Sequence, residues 1–139
     1  MCIRDRHRLN NDVIFLEHAN SMPVAYSIAN VVISASIEPE AFGRVSVEAQ
    51  SMKRPIIASD IGGSKETIIH NRTGLLFKSE DPKSLSEKID NIFRSDDTTL
   101  NAMGNSGRKN VEQKFNVEKM CFSTYSAVSY THLTLPTKA

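Results

Sequence analysis

Two acids, Glu40 and Glu48, flank a glycine and a short helix-forming run in the segment Glu40-Ala41-Phe42-Gly43-Arg44-Val45-Ser46-Val47-Glu48. Carboxylates accept hydrogen bonds from hydroxyl groups, two at a time when the hydroxyls form a diol. Gly43 lets backbone approach a ligand closely. The N–H groups at a helix start, here about Arg44 and Val45, have no intrahelical acceptor and sit at the positive end of the helix dipole, so a diphosphate suits that place. Plainer roles stay open for each acid. Glu48 stands one turn after Arg44, and such a pair on a half-exposed face is worth a few tenths of a kcal/mol. Glu40 before a helix complements the dipole with or without a ligand.

The elements around this segment must position it. Val13 to Leu16 reads as a strand, Pro23 to Ala29 as a short helix opened by its proline, and Val31 to Ala35 as a strand whose consecutive apolar residues imply two covered faces. A helix over Arg44 to Lys53 follows, with Val45, Ala49 and Met52 as its apolar stripe and Glu48 at the stripe's border. Then come a strand at Pro55 to Ala58, a helix at Ser64 to His70 and a strand at Gly74 to Phe77. Asp81 caps a longer helix with Pro82 at its first position, and Leu85, Ile89, Ile92 and Phe93 mark one face of it. Further helix is expected from Leu100 to Lys114 and from Val117 to Ser126, broken near Phe115 and Asn116. Alternation of this kind predicts an α/β fold, a Rossmann-like parallel sheet with flanking helices. In such sheets ligands bind beyond the carboxyl ends of strands, which is where residues 38–43 fall. Four strands make an incomplete sheet against the roughly six of a full doubly wound domain.

At 139 residues the chain holds one domain at most. A net charge of +1 without a basic stripe argues against nucleic acid as a partner. Cys2 and Cys121 are far apart and the histidines do not cluster, so neither a disulfide framework nor a metal site is expected, and a reducing cytoplasmic setting fits. No apolar run is long enough to span a membrane. Residues 1–8 and 127–139 continue no periodic element and resemble adapter-like translated ends. They are expected to be non-native, leaving 9–126 as the domain.

Residues 40–48 resemble the E-x7-E signature of the family-4 retaining glycosyltransferases, enzymes built from two Rossmann-like domains (the GT-B fold). The likeness continues in order through Met22-Pro23-Val24-Ala25-Tyr26, residues 30–36, residues 48–60, Ile61-Gly62-Gly63-Ser64-Lys65-Glu66-Thr67 and Thr73-Gly74-Leu75-Leu76-Phe77, covering roughly Val13 to Tyr125. As a set these motifs are specific, whereas two spaced glutamates alone are not. The resemblance implies an incomplete C-terminal domain that binds a nucleotide-diphosphate sugar. It implies that Glu40 orients the donor sugar in catalysis, that backbone amides at Phe42 and Gly43 contact that sugar, that those of Arg44 and Val45 hold the distal phosphate, and that Glu48 holds the ribose. Gly62 and Gly63 would shape the cleft wall, or serve only as a permissive turn. Sugar would pass with retention to an acceptor hydroxyl on a glycan or lipid-linked molecule held by an N-terminal domain. The implied setting is cell-envelope polysaccharide or lipopolysaccharide synthesis in the cytoplasm, at the inner face of the membrane, with no metal or other cofactor.

The sequence departs from that pattern at particular places. Lys53 stands where the family commonly has a helix-ending glycine, and Glu17-His18 where a glycine borders the base. The family's diphosphate-gripping basic residues lie upstream, and residues 4–8 do not match them. A nucleotide-sugar binding module without catalysis, or a nucleotide-sugar epimerase on the same scaffold, are the alternative readings.

Overall fold

The computed structural model describes residues 6–9, 11–16 and 19–134. In chain order the elements are α1 (Met22–Ile28), β1 (Val32–Ser34), α2 (Arg44–Ser51), β2 (Ile56–Ser59), α3 (Ser64–Thr67), β3 (Leu75–Phe77), α4 (Pro82–Arg94), α5 (Asp97–Lys114) and α6 (Val117–Thr134). The strands form a parallel sheet in the order β1-β2-β3. Ile33 lies opposite Ile57, and Ile57 opposite Leu75.

β2 is the central strand and every one of its residues is buried. Its pleat sends Ile56 and Ala58 to one face, where they pack with Tyr26 of α1, Ala49 of α2 and Ile68. Ile57 points to the other face and packs with Leu75, Phe77, Ile92 of α4 and Met103 of α5. Helices therefore cover both sides of a parallel sheet, the α/β architecture that strand–helix alternation demands.

Local signals explain most boundaries. Asp81 caps α4, its carboxylate accepting from the Ser84 N–H at 3.0 Å, with Pro82 next in the first turn. Asp96 does the same for α5 through the Thr99 N–H at 3.3 Å. α5 ends at Phe115, and Asn116 Oδ1 accepts from Lys119 N at 2.8 Å to start α6.

The structure corrects several expectations. Val13 to Leu16 forms no strand, and Ile14 and Leu16 are 82% and 76% exposed. β-branched residues favour a pleat only where a neighbouring strand and a core receive them; with this segment irregular, the sheet has three strands among the described residues rather than four. For the same reason Ile33, on the outer strand, stays 42% exposed, so β1 is not covered on both faces. α3 stops at Thr67 instead of His70 because Ile68 is extended, with φ −109° and ψ 129°, and turns the chain back toward β3. Phe93 is 71% exposed. At about 100° per residue it sits roughly 80° round from Leu85, off the stripe made by Leu85, Ile89 and Ile92. Finally, the helix does not give way after Ala127. α6 runs to Thr134, consistent with the absence of glycine or proline between Val117 and Leu135.

Candidate functional site

α2 begins where the loop after β1 meets the carboxyl edge of the sheet. Its N-cap is Gly43, held left-handed at φ 70° and ψ 54°, a conformation that disfavours any residue with a Cβ. The Gly43 carbonyl accepts from the N–H groups of Ser46 and Val47 at 3.1 and 3.3 Å. The preceding donors, on Arg44 and Val45, have no intrahelical acceptor, and no side chain caps them. The helix start at Arg44 is where the sequence places it.

Glu48 lies one turn further along α2 and is held from two sides. Its Oε1 is 3.3 Å from an Arg44 guanidinium nitrogen, the i,i+4 pair expected from spacing. Its Oε2 accepts a hydrogen bond from the Tyr26 hydroxyl at 2.9 Å. Tyr26 is only 5% exposed, and burial, then the hydrogen bond and charge of Glu48, push its phenol up to about 12, with Arg44 acting the other way. Tyr26, Arg44 and Glu48 line a depression of about 360 Å³ together with Met22 and Pro23. Glu48 is therefore neither packed shut nor turned wholly into solvent. An ionised carboxylate offers about four acceptor positions; two are engaged here, which leaves room for a diol.

Glu40 is exposed, and its Oε1 accepts from the Ser36 hydroxyl at 2.7 Å. Its backbone carbonyl accepts from Gly63 N at 2.7 Å, tying the loop over residues 40–42 to the start of α3. The fit there is backbone against backbone. A Cβ on Gly62, which is itself left-handed at φ 51°, would lie 2.6 Å from the Glu40 carbonyl oxygen, and one on Gly63 would lie 2.3 Å from the Phe42 carbonyl carbon. The glycine pair is thus both the strand-to-helix turn and the seat on which the loop rests. Phe42 is 42% exposed, and its ring meets Phe115 edge to face at 5.7 Å and 78°.

Residues 2–110 match the family model described as Glycosyl transferases group 1. The chain belongs to that family. It is 32% identical over 106 residues to the capsular polysaccharide biosynthesis glycosyltransferase CapM of Staphylococcus aureus, which covers 76% of this chain and 27% of CapM. A glycosyltransferase from Rickettsia africae superposes with a TM-score of 0.84 at 30% identity, over 96% of this chain and 35% of that one. Anabaena Alr3699/HepE, solved in complex with UDP and glucose, gives 0.84 at 26% identity, over 91% and 34%. The fold is that of GT-B glycosyltransferases, of which this chain spans roughly a third.

Within this family the chain also shows how α2 ends without the expected glycine. Lys53 itself takes the left-handed conformation at φ 57°. Its N–H bonds to Gln50 O at 3.0 Å and that of Arg54 to Ala49 O at 2.9 Å, the paired bonds of a Schellman cap. A second concavity, about 370 Å³ and lined by Asn30, Lys53, Arg54 and Asn101 among others, lies at the amino ends of β1 and β2. That is the wrong end of a parallel sheet for the ligand site. Glu17 and His18, considered as neighbours of a base, lie outside the described residues, as do Cys2 and Arg4. No described helix is long and apolar enough to cross a membrane. Sequence reasoning missed Ser36, Tyr26 and Phe115 as supports of the site. Tyr26 follows the same helical period as any core residue, and nothing local marks its hydroxyl as aimed at Glu48.

Proposed function

We propose that this chain is the donor-binding portion of a retaining glycosyltransferase that moves a sugar from a nucleoside-diphosphate donor to an acceptor hydroxyl. The observation that carries the reading is the free Arg44 and Val45 amides at the start of α2, set behind left-handed Gly43 and between two acids at the carboxyl edge of the sheet. The UDP and glucose named in the HepE complex support a nucleotide-sugar donor, and the capsular role in CapM's name supports a cell-envelope glycan or lipid-linked acceptor. The whole enzyme would act in the cytoplasm at the inner face of the membrane, with no resident metal or cofactor.

The bond that breaks joins the sugar's anomeric carbon to the distal phosphate. Positive charge grows on the sugar ring while the leaving diphosphate gains negative charge. Fixed N–H dipoles at the α2 start stabilise the leaving group without having to reorganise, and this is where preorganised donors act most strongly. Glu40, steadied by Ser36, orients the donor sugar through its hydroxyls, alongside the backbone at Phe42 and Gly43. Glu48 fixes the ribose. The acceptor and its binding groups lie outside these elements. Because the chain spans 27% of CapM, a second reading holds for the piece by itself, which is that it binds the donor and does not turn it over.

Calorimetric titration of the complete protein with UDP and with GDP tests the reading. Glu48→Ala is expected to weaken binding of whichever nucleotide the protein takes by about tenfold to a hundredfold, the value of hydrogen bonds to a charged group. Unchanged affinity would return Glu48 to a surface ion pair with Arg44.

A further inference from the structure

The geometry points to Tyr26 as a positioning residue for ribose recognition: its hydroxyl fixes the Glu48 carboxylate so that the unengaged acceptor positions face the nucleotide. This rests on the donor-binding reading above and adds to it a residue on a different element. Several observations converge on it. Tyr26 is on α1 and Glu48 on α2, so the 2.9 Å bond between them links two helices that are separated by β1 in the chain. The ring belongs to the core cluster with Ala49, Ile56, Ala58 and Ile68, which leaves it little freedom to swing away. The opposite oxygen faces Arg44, whose side chain is 82% exposed and therefore a loose partner. Tyr26 is thus the rigid member of the pair of supports. The same three residues line the 360 Å³ depression that Glu48 borders. The phenol stays protonated well past neutral pH, so it remains a donor throughout the working range.

A purely structural tyrosine would support every ligand equally, whereas one that aims Glu48 would matter only when ribose hydroxyls are present. The experiment compares the complete protein with its Y26F and E48A variants, titrating UDP, or GDP where that is the nucleotide bound, against the same nucleotide in its 2′-deoxy form. The expected result is that the wild type prefers the ribonucleotide by about tenfold, that E48A loses the preference, and that Y26F loses most of it while holding the deoxynucleotide nearly as well as the wild type. Tyr26→Met, a smaller and more adaptable apolar side chain without a hydroxyl, gives the same ratio if Y26F does not fold. If E48A abolishes the preference but both Tyr26 variants keep it whole, Tyr26 only fills the core and the inference is overturned. If neither nucleotide binds, or E48A keeps its preference for ribose, the donor-binding reading itself fails, a different outcome from the first.

Discussion

Gly63→Ala tests whether the loop over residues 40–42 is held in place by backbone contact with the turn beneath it. Gly63 has φ −61° and ψ −19°, ordinary right-handed values that alanine adopts freely. On backbone grounds alone the substitution should stabilise by about 0.4–1 kcal/mol, through a less flexible unfolded chain. Space decides otherwise. The added Cβ would stand 2.3 Å from Phe42 C and 2.6 Å from both Phe42 Cα and Phe42 O. Comfortable carbon contacts begin near ~3.5 Å, so the loop must retreat by about 1 Å. That retreat stretches the 2.7 Å bond from Gly63 N to Glu40 O beyond hydrogen-bonding range. Overpacking costs about 1–3 kcal/mol and the lost bond about 1 kcal/mol, so the net expectation is a destabilisation of roughly 1–3 kcal/mol. Misplacing a positioned loop by about 1 Å can also cost on the order of a hundredfold in turnover. Urea unfolding followed by far-UV circular dichroism reads the first effect, and donor turnover by the complete enzyme reads the second. A variant as stable as the wild type would show that the loop rides clear of the glycines. Lost stability with full turnover would show that the loop adapts, and would remove Glu40 and Phe42 from the site.

Gly104→Ala is expected to lower the stability read from urea unfolding by about 1–3 kcal/mol, although alanine gains about 1 kcal/mol over glycine inside a helix. The reason is that its Cβ would lie 2.2 Å from the Lys53 carbonyl oxygen, where α5 crosses the end of α2; Asn105→Ala on the exposed side of the same helix is the control and should change little. Stability should also fall as pH rises from about 10 to 12. Tyr26 keeps its proton in the folded state up to about 12, against an ordinary value of 10.0, while the unfolded chain releases it sooner, so the contribution is complete below pH 10 and lost above. The span amounts to on the order of 2 kcal/mol. In Y26F that part of the alkaline limb should be flat, and a limb of unchanged steepness would contradict the cause given for the shift.

The fold class was legible because it depends on pattern. The buried run at Ile56 to Ala58, the helical stripe of Leu85, Ile89 and Ile92, and the cap Asp81 each write a local physical preference into neighbouring residues, whereas the cap Asp96 went unread and α5 starts at Asp97, ahead of the expected Leu100. Val13 to Leu16 carries the same β signal as Ile56 to Ala58 yet forms no strand, since pairing is a property of neighbours and not of the segment. Within the site, Gly43, the free amides and the Arg44–Glu48 pair could be placed from spacing. The Tyr26 bond, the Ser36 bond and the Phe42–Phe115 contact could not, because each joins residues whose meeting is decided by how α1, α5 and the loop after β1 pack. Lys53 shows the limit from the other side. The absent glycine signalled a different ending for α2, and instead the lysine takes the glycine's conformation.

A helix of eight residues such as α2 would scarcely form alone in water, so its orientation must come from what surrounds it. Ser46, Ala49 and Gln50 face inward and are essentially sealed from solvent. Gln50 Nε2 donates to Ser46 O and to Thr67 O, both at 3.0 Å, while Asn110 Nδ2 donates to Gln50 Oε1 at 3.2 Å and to Thr67 O at 3.0 Å. This buried net joins α2 to α3 and α5 through the Gln50, Thr67 and Asn110 groups, while the buried Ser46 hydroxyl beside it has no partner; directional hydrogen bonds of this kind fix orientation more sharply than apolar contact does. Thr67 Oγ1 in turn donates to Gly63 O at 2.9 Å, the carbonyl of the residue that carries the loop. The inner face of α2 and the seat of residues 40–42 are therefore one connected unit. On the proposed donor-binding reading, that connection would let a short helix present two amides in a fixed direction before any ligand arrives, so that binding energy would not be consumed in assembling the site.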